Sequence, residues 1–467
     1  MKELTDCSRN ELIDIIKQQD VRIAELEGKI ARLSKTSSTS SKPPSSDVTK
    51  PAKGGKSAKG GRKRKRKIGG QPNHPKHERE PFGPDQIDRT CSYTPGHCPD
   101  CGGAVELIPG DERIVQQVEL IQRPVEVVEH RAGACRCTGC GKVHPPEMPE
   151  SVRRAGLLGP QLTALIAYLK GACHMSFSSI RKFFRDVLKL PISRGQLAKA
   201  IEKVSEAMAG SYDELRGQLP HAPQLNVDET GHKENGSTLW TWCFRAELYT
   251  LFKIDPSRGS QVLIDMLGEQ FEGVLGCDLF SAYRKYMREF SIVVQFCLAH
   301  LIRDVKFLTT LPDKATQRFG ERLLDALRAL FGVIHRREKM TEAGFQRALQ
   351  RKRDAILAVA RSAPRRSEAQ NIAKRFRDYG KAYFTFITTP GVEPTNNLAE
   401  QAIRFVVIDR KVTQGTRGES GQRWCERIWT AIATSAQQGR SVYTYLHQAI
   451  TAHFHNAPAP SLMPAGP

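Results

Sequence analysis

The sequence lacks any apolar run of about 18 residues, the length that a transmembrane helix needs. Its start, MKELTDCSRNELIDIIKQQD, alternates charged and aliphatic side chains and lacks the continuous apolar stretch of a secretory signal peptide. We therefore expect a cytoplasmic protein without a membrane partner. Because thiols stay reduced in that compartment, clustered members of the 12 cysteines are better explained as metal ligands than as disulfides.

Acidic residues are fewer than basic ones. The 467 residues include 50 Asp and Glu and 71 Lys and Arg, which gives a net charge of +21. Residues 42–67 hold eleven Lys and Arg and one Asp, and so contribute +10 of that charge. Such an excess predicts a polyanionic partner, nucleic acid before an acidic membrane. At roughly 100–200 residues per domain, the length predicts a multidomain protein.

The N-terminal segment, residues 1–34, carries apolar residues at alternating steps of three and four. The positions, with one polar member, are Leu12, Ile16, Gln19, Ile23, Leu26, Ile30 and Leu33. This spacing is typical of a coiled-coil seam and predicts a zipper helix that pairs two chains. The alternative is an amphipathic helix that packs on its own domain.

Residues 35–80 are rich in Ser, Pro, Gly and Lys, and we predict a disordered basic linker there. Its central run of cations would bind phosphates without reading a base sequence. These candidate DNA-binding residues are Arg62, Lys63, Arg64, Lys65, Arg66 and Lys67. A solvated tail without a partner is the alternative interpretation.

Two CxxC pairs, CPDCGG and CTGCGK, follow the linker. Their members are Cys98, Cys101, Cys137 and Cys140. Four thiolates suit one structural Zn²⁺ in tetrahedral geometry, and the Val- and Ile-rich stretch between the pairs predicts the strands of a zinc ribbon over residues 85–150. Cys135 is the chief rival ligand, with Cys91 and His144 behind it. Unrelated core thiols are the other interpretation.

The remaining chain changes from helical to mixed patterning. Residues 152–220 predict helices, and a Pro turn before Ser193 allows a helix-turn-helix interpretation for DNA recognition. Residues 221–309 and 386–455 carry strands that end in carboxylates and are followed by helices, which predicts an α/β core. Residues 310–385 predict an all-α insertion, and residues 456–467 a loose tail.

Carboxylates close two of the predicted strands. Asp228 ends APQLNVDET, Asp278 ends FEGVLGCDLF, and Glu400 lies in the first turn of the helix that begins at PTNNLAE. Converging carboxylates in a polyanion-binding protein indicate phosphodiester chemistry with two divalent cations, which require hard oxygen ligands. The alternatives are aspartates that cap turns and a capping box between Asn397 and Glu400. Glu393 or Asp409 could replace Glu400 as the third carboxylate.

In this order the motifs resemble the transposases of the insertion-sequence-66 family over nearly the whole chain. The resemblance rests on the zipper, SSTSSKPPSSD, the Lys/Arg-Gly linker, the CxxC pairs, NVDET, GCDLFSAY, CLAH and PTNNLAEQAIR…RKVTQGTRGESG. It implies a DDE (Asp-Asp-Glu) transposase with a ribonuclease-H-like core that a helical insertion interrupts. By motif position, Asp228, Asp278 and Glu400 become the catalytic triad that holds two Mg²⁺ or Mn²⁺ ions.

The resemblance also singles out residues around the triad. His300, in CLAH, matches a CxxH element of several DDE families, and a lone histidine bonded to the backbone is the alternative. Arg404 shares a helix face with Glu400 and would contact the scissile phosphate or pair with Glu400. The candidate DNA-binding residues beside a Gly-rich loop are Arg410, Lys411 and Arg417. Gln401 departs from the family pattern, in which basic residues usually follow the Ala-Glu pair.

The leading hypothesis is a transposase that binds the terminal inverted repeats of its own element and joins them to target DNA. It would act as at least a dimer in the bacterial nucleoid, with helper proteins from the same element. The rivals are a non-catalytic zinc-ribbon regulator, which would bind DNA without a metal-dependent product, and a ribonuclease-H-like nuclease that cuts without joining.

Overall fold

A computed structural model describes residues 8–36, 38–39, 80–91, 97, 100–104, 114–118, 120–121, 124–136, 138, 140, 143–144 and 147–464. The chain divides into two units, one formed by Met1–Pro51 with Glu129–Pro467 and the other by Ala52–Val128. The sixteen α-helices and seven strands that the described residues form all belong to the first unit.

The helices of this unit are α1 (Arg9–Leu33), α2 (Glu150–Ala155), α3 (Pro160–Gly171), α4 (Phe177–Asp186), α5 (Arg194–Ala207), α6 (Ala209–Gln218), α7 (Gln261–Leu267), α8 (Ser281–Phe290), α9 (Leu298–Leu308), α10 (Lys314–Ile334), α11 (Glu342–Arg361), α12 (Ser367–Tyr379), α13 (Thr385–Thr388), α14 (Asn397–Thr413), α15 (Glu419–Gln437) and α16 (Val442–Phe454). The strands are β1 (Cys135–Arg136), β2 (Val143–His144), β3 (Gln224–Glu234), β4 (Ser237–Arg245), β5 (Thr250–Asp255), β6 (Val274–Cys277) and β7 (Val294–Phe296).

The Ala52–Val128 unit contains one short 3₁₀ turn among its described residues, Pro84–Gln86. The Gln116 side chain pairs with both backbone groups of Phe82, at 2.7 Å and 2.9 Å. Of the described residues between the CxxC pairs, 114–118, 120–121 and 124–134 form no strand, whereas Cys135–Arg136 form the short β1 in the other unit. Val115, at 77% exposure, is typical of the side chains that form no strand. Alternation yields a strand only where a neighbouring strand and a packing surface are available.

The N-terminal α1 is a capped helix whose predicted seam faces solvent. The hydroxyl of Ser8 accepts from Glu11 N, and Ser8 N donates back to the Glu11 carboxylate, a complete capping box. Leu33 at the end of the seam is 77% exposed. At the same end, Arg32 Nη2 bonds Glu368 Oε1 of α12 at 2.9 Å. The exposed seam is compatible with pairing to a second chain, and the zipper stays a prediction.

A mixed five-stranded sheet in the order β5-β4-β3-β6-β7 organises the core. β3, β4 and β5 form an antiparallel meander, whereas β6 and β7 lie parallel to β3. Asn235 (φ 47°) and Gly236 (φ 88°) form the two-residue turn between β3 and β4, because left-handed backbone matches the twist of a tight hairpin. β4 is therefore the one strand of this sheet that runs against the others.

β5 is an edge strand of the sheet, and its outer edge is covered by α15. The hydroxyls of Thr430 and Thr434 accept from Phe252 N and Thr250 N, each at 3.1 Å. One turn earlier, Glu426 Oε1 accepts from Ile254 N at 2.7 Å. Acceptors four residues apart on a helix thus meet alternate amides of the strand, so that the edge is closed to further pairing.

Two helical regions flank the sheet. Residues 152–220 contain α2 to α6, in which the Ser193 hydroxyl accepts from Gln196 N at 3.1 Å and caps α5 as predicted. Residues 310–385 contain the long helices α10, α11 and α12 and no strand. The final described residues differ from the loose tail that we predicted, because Leu462 is buried and Ser211 Oγ donates to Pro460 O at 2.9 Å.

Candidate active site

The two predicted aspartates lie at the same level of neighbouring parallel strands. β3 pairs with β6 in a register that sets Asn226 opposite Gly276. Asp228 and Asp278 each come two residues later along the chain. Because parallel strands lie about 4.8 Å apart, both side chains leave the sheet from one region. β6 ends at Cys277, so Asp278 lies at its carboxyl end, where sites of α/β sheets are commonly built. The prediction that Asp228 ends its strand is wrong, because β3 continues to Glu234 as a partner of β4.

These aspartates lie in a strongly acidic, largely buried environment. Burial raises the pKa of Asp228 well above its usual range, and the charges of Glu229, Asp278 and Glu400 raise it further. Burial and then the charge of Glu229 raise the pKa of Asp278 to about 6. Backbone donors offset this only in part, through Glu229 N to Asp228 Oδ1 at 3.0 Å and Phe280 N to Asp278 Oδ1 at 2.8 Å.

Asn396 attaches the start of α14 to β3 and to the start of α9. Its buried side-chain amide donates to Val227 O at 2.7 Å, one residue before Asp228, and its Oδ1 accepts from Asn226 Nδ2 at 3.0 Å. Its backbone N–H donates to Cys297 Sγ at 3.2 Å. Glu400 follows one helical turn later, so these bonds set its distance from the aspartates.

The capping-box alternative for Glu400 is wrong. The N-cap of α14 is Asn396 and makes no side-chain capping bond. The Glu400 carboxylate turns toward α9 instead, where Arg303 Nη2 donates to Oε1 at 3.3 Å. His300 Nδ1 lies 3.5 Å from the same oxygen. Glu400 is therefore held by an arginine of a neighbouring helix, with the imidazole of His300 beside it, and not by its own backbone.

His300 is a neutral, partly buried neighbour of the cluster. Burial lowers its pKa, and the charge of Arg303 lowers it further. Its Nδ1 is inaccessible to solvent and has no hydrogen-bond partner among the described residues. The alternative of a histidine bonded to a backbone group therefore does not account for Nδ1, which points at Glu400.

Sequence reasoning missed a fourth carboxylate, Glu229. Its side chain is 2% exposed, and Arg258 donates to its Oε1 through Nη2 at 2.8 Å and Nε at 3.0 Å. The hydroxyl of Tyr283 donates to Oε2. Arg258 in turn lies between the rings of Trp240 and Phe280, at 4.4 Å and 3.9 Å from their centroids. The one signal in the sequence was a second acid directly after Asp228 in NVDET.

The donor atoms fit hard divalent cations at the carboxylates. Within the described part of the chain, Asp228 Oδ2, Asp278 Oδ2 and Glu400 Oε2 accept no hydrogen bond. The three carboxylates are not within 4.8 Å of one another, a span that only Cys297, His300 and Glu400 satisfy among these residues. Burial raises the pKa of Cys297, and its sulfur already accepts from Asn396 N. The protonated, occupied thiol makes a metal at that trio a poor fit.

The two other carboxylates that were considered lie apart from the cluster. Asp409 is nine residues beyond Glu400 on α14, roughly 13 Å by helical rise. Both its oxygens are occupied, Oδ1 by His174 Nδ1 at 2.9 Å and Oδ2 by Trp429 Nε1 at 3.1 Å. Glu393 is exposed. Neither contributes to the shifted pKa of Asp228.

The predicted DNA-binding residues of the C-terminal motif lie along α14 and the loop after it. Arg404 is exposed and does not pair with Glu400, whereas Arg410 Nη1 donates to Thr230 Oγ1 at 3.3 Å. Lys411 and Arg417 are exposed. The basic run at residues 62–67 lies outside the described residues.

The Gly-rich loop itself is attached to the end of β3. Glu234 Oε2 accepts from Thr416 Oγ1 and Gln422 Nε2, each at 2.8 Å. Gly415 has a φ of +95°, and a Cβ there would lie 2.0 Å from Lys233 O, so only glycine fits. The loop therefore presents Arg417 from a rigid position.

The predicted zinc ligands are only partly described. Cys98 and Cys137 lie outside the described residues, and Cys101 and Cys140 are exposed. Of the rival ligands, Cys91 is exposed, and Cys135 lies opposite His144 in the β1–β2 hairpin. The zinc ribbon stays a prediction.

Comparison with known families places this site in context. Residues 155–423, more than half of the chain, match the model of the Transposase IS66 family. The chain belongs to this family. The matched span of this IS66-family chain runs from the end of α2 into α15 and includes Asp228, Asp278 and Glu400. Residues 4–80 match a second model, Family of unknown function (DUF6444).

Membership makes the chain a DNA-acting enzyme of the transposase class, a class of which the DDE members generally use divalent metal ions. No curated protein matches the chain. Among its described helices, none is long and apolar enough to cross a membrane.

Proposed function

We propose that the chain is a DDE transposase that binds the terminal inverted repeats of its element, cuts at their ends and joins them to target DNA. The observation that carries this proposal is the acidic cluster of Asp228, Asp278 and Glu400 within the span that matches the family. The zinc ribbon and the α2–α6 helices would recognise the ends, and the α1 zipper would pair two chains.

A ribonuclease-H-like core is supported by the topology of the sheet. The order β5-β4-β3-β6-β7, with β4 alone antiparallel to the rest, sets the first and fourth strands of the core side by side. The two aspartates come from those strands, and Glu400 comes from a helix beyond the insertion. This arrangement supports the DDE assignment of each carboxylate.

Two Mg²⁺ or Mn²⁺ ions, when bound, would supply charge stabilisation for the attacking and the departing oxygen of the phosphodiester. Asp228, Asp278 and Glu400 would hold them through their unbonded carboxylate oxygens. Arg303 and Asn396 position Glu400, and Arg258 and Tyr283 hold Glu229 behind the aspartates. No Ser or Tyr nucleophile is needed, since water or a DNA 3′ hydroxyl attacks directly.

The test is incubation of the purified chain with DNA that carries the flanking ends of its gene, in the presence of Mg²⁺ or Mn²⁺. We expect joined products from the wild type and none from Glu400→Gln, while Glu393→Gln serves as an exposed, matched control that keeps activity. Cleavage without joining would favour the nuclease. End binding without any metal-dependent product would favour the regulator and contradict the proposal.

A further inference from the structure

The helical insertion carries as much net charge as the basic linker. Residues 310–385 hold eighteen Lys and Arg against eight Asp and Glu, which is +10. With +10 on residues 42–67, the rest of the chain accounts for only +1 of the total of +21. A folded helical region with this excess is an electrostatic footprint for a polyanion.

Part of this charge lines a groove between the insertion and the catalytic core. The groove has a volume of about 380 Å³ and lies between α12 and the segment from Leu279 to α8. The side chains that matter for its charge and shape are Leu279, Arg284, Lys374, Arg375, Asp378 and Tyr379. Three cations thus face one acid along its walls.

The groove adjoins the acidic cluster. Leu279 and Arg375 line both this groove and a second cavity of about 190 Å³, which Asp278 and His300 also line. A polyanion in the groove would therefore reach the predicted catalytic Asp278 without leaving the surface.

Two of the three cations are available to a ligand. Arg284 makes no ion pair with a described residue, and its Nε is inaccessible to solvent without a hydrogen-bond partner there. Its guanidinium carbon lies 5.9 Å from the ring centroid of Tyr379. Lys374 is exposed, and no described carboxylate contacts it. Arg375 is not free to bind a ligand in the same way, because its Nη1 donates to Asp304 Oδ2 at 2.6 Å. This ion pair ties the α12 wall of the groove to α9.

An oxyanion would give Arg284 a charge partner through its terminal guanidinium nitrogens, since Nε is closed to solvent. A phosphate oxygen is the acceptor whose geometry best suits a guanidinium fork. A carboxylate ligand would be less favourable, because it would add negative charge to a surface that already adjoins the four carboxylates of the acidic cluster. Phosphodiesters also offer the repeated charge that Arg284 and Lys374 on facing elements can contact together.

We infer that this groove binds the sugar-phosphate backbone of the DNA that flanks the scissile bond, through Arg284 of α8 and Lys374 of α12. The inference rests on the proposed function for the identity of the DNA. It assigns to the insertion a direct part in holding the substrate, with Arg375 as a positioning residue.

The test is binding of the full chain to a fluorescent duplex with the gene's flanking end, measured without divalent metal over a range of NaCl concentrations. Each contact between a cationic side chain and a phosphate raises the binding constant by a factor of about eight at 0.1 M salt, because it releases a counterion from the DNA. We therefore expect Arg284→Ala and Lys374→Ala each to weaken binding roughly five- to eightfold. Each should also reduce the slope of log affinity against log salt by about one. Arg284→Lys should keep most of the affinity.

Arg347→Ala is the matched control, because Arg347 is exposed on α11 and lies outside the groove. An equal loss in the control would mean diffuse attraction and would overturn the inference, as would unchanged binding in both groove variants. Replacing single phosphates by uncharged methylphosphonates locates the contact: the wild type should be sensitive beside the scissile position, and Arg284→Ala should not. Since no cleavage is scored, a chain that binds in this way but never joins DNA would contradict only the proposed function.

Discussion

Two sets of buried carboxylates in this protein differ in how their charge is compensated. Glu426 on α15 is fully buried, and its oxygens accept from Lys253 Nζ at 3.0 Å, Ile254 N at 2.7 Å and Arg423 Nη1 at 2.8 Å. Asp228 is largely enclosed but not fully buried, and it receives one backbone donor while three other carboxylates raise its pKa. The first arrangement stabilises the fold, whereas the second leaves charge for a ligand to neutralise.

The difference follows from the role of each site in the sheet. Glu426 closes the edge of β5, where unmet backbone donors would invite pairing with another chain, so its satisfied contacts serve architecture. Asp278 lies where β6 ends and Asp228 lies within the neighbouring β3, and their free oxygens are unfavourable without a cation. A carboxylate that destabilises the metal-free fold and lies in the span matched to the family is a strong candidate for function.

The largest expected effect is on DNA joining, and it concerns Asp228 of the acidic cluster. Asp228→Asn should reduce DNA joining by roughly a thousandfold or more, because losing a metal ligand removes several kcal/mol of transition-state stabilisation. The same variant should be more stable than the wild type by about 1 kcal/mol without metal, since repulsion from its neighbours disappears. Joining assays and urea unfolding measure both. Retained joining would remove Asp228 from the site.

Glu426→Ala should produce the opposite pattern. Removing one partner of a buried ion pair leaves Lys253 without its carboxylate and Ile254 N without its acceptor, so we expect a loss of about 3–5 kcal/mol in the free energy of unfolding. The matched control is Glu419→Ala, which removes the other, exposed partner of Arg423 and should change stability by less than about 1 kcal/mol. Equal effects of the two variants would contradict the structural role assigned to Glu426.

The acidic cluster also predicts an unusual dependence of stability on pH. The pKa of Asp278 rises to about 6 in the fold, so between about pH 4 and pH 6 the native state binds more protons than the unfolded chain. Stability of the metal-free protein should therefore fall as the pH rises through this window, by up to about 3 kcal/mol from this group.

Urea unfolding of wild type and Asp278→Asn across that window isolates the contribution. The difference between the two should grow with pH in favour of the variant, and Mg²⁺ should restore the wild type above pH 6. A difference that is independent of pH would mean that Asp278 titrates normally.

Local features of the site could be predicted from the sequence, whereas its long-range partners could not. Asp278 follows the end of an apolar strand, Asp228 follows the apolar start of β3, and Glu400 lies in the first turn of α14, patterns that a short window of residues contains. The bond from Asn226 to Asn396 spans 170 residues, and that from Arg303 to Glu400 spans 97. Nothing in either segment specifies its partner, because side-chain pairing is decided by the packed sheet and helices.

The same limit explains two of the expectations that the structure overturns. The sequence predicts that Asp228 ends its strand, yet β3 continues to Glu234 because β4 pairs with it along this whole length. Asn397-Leu398-Ala399-Glu400 has the spacing of a capping box, but Arg303 on another helix offers Glu400 a charged donor. Spacing predicts which contacts are geometrically possible, and tertiary structure decides which of them form.

The smallest expected effect concerns Glu229, a carboxylate that has features of both sets. It is compensated by Arg258 and Tyr283 like a structural carboxylate, yet its charge raises the pKa of both aspartates. Tyr283→Phe removes one donor and keeps the ring, so we expect a loss of about 1–2 kcal/mol in unfolding free energy. Joining should fall only severalfold, because Arg258 still holds Oε1. A loss of joining as complete as that of Asp228→Asn, with stability unchanged, would instead place Tyr283 among the catalytic residues and make Glu229 part of the reacting set.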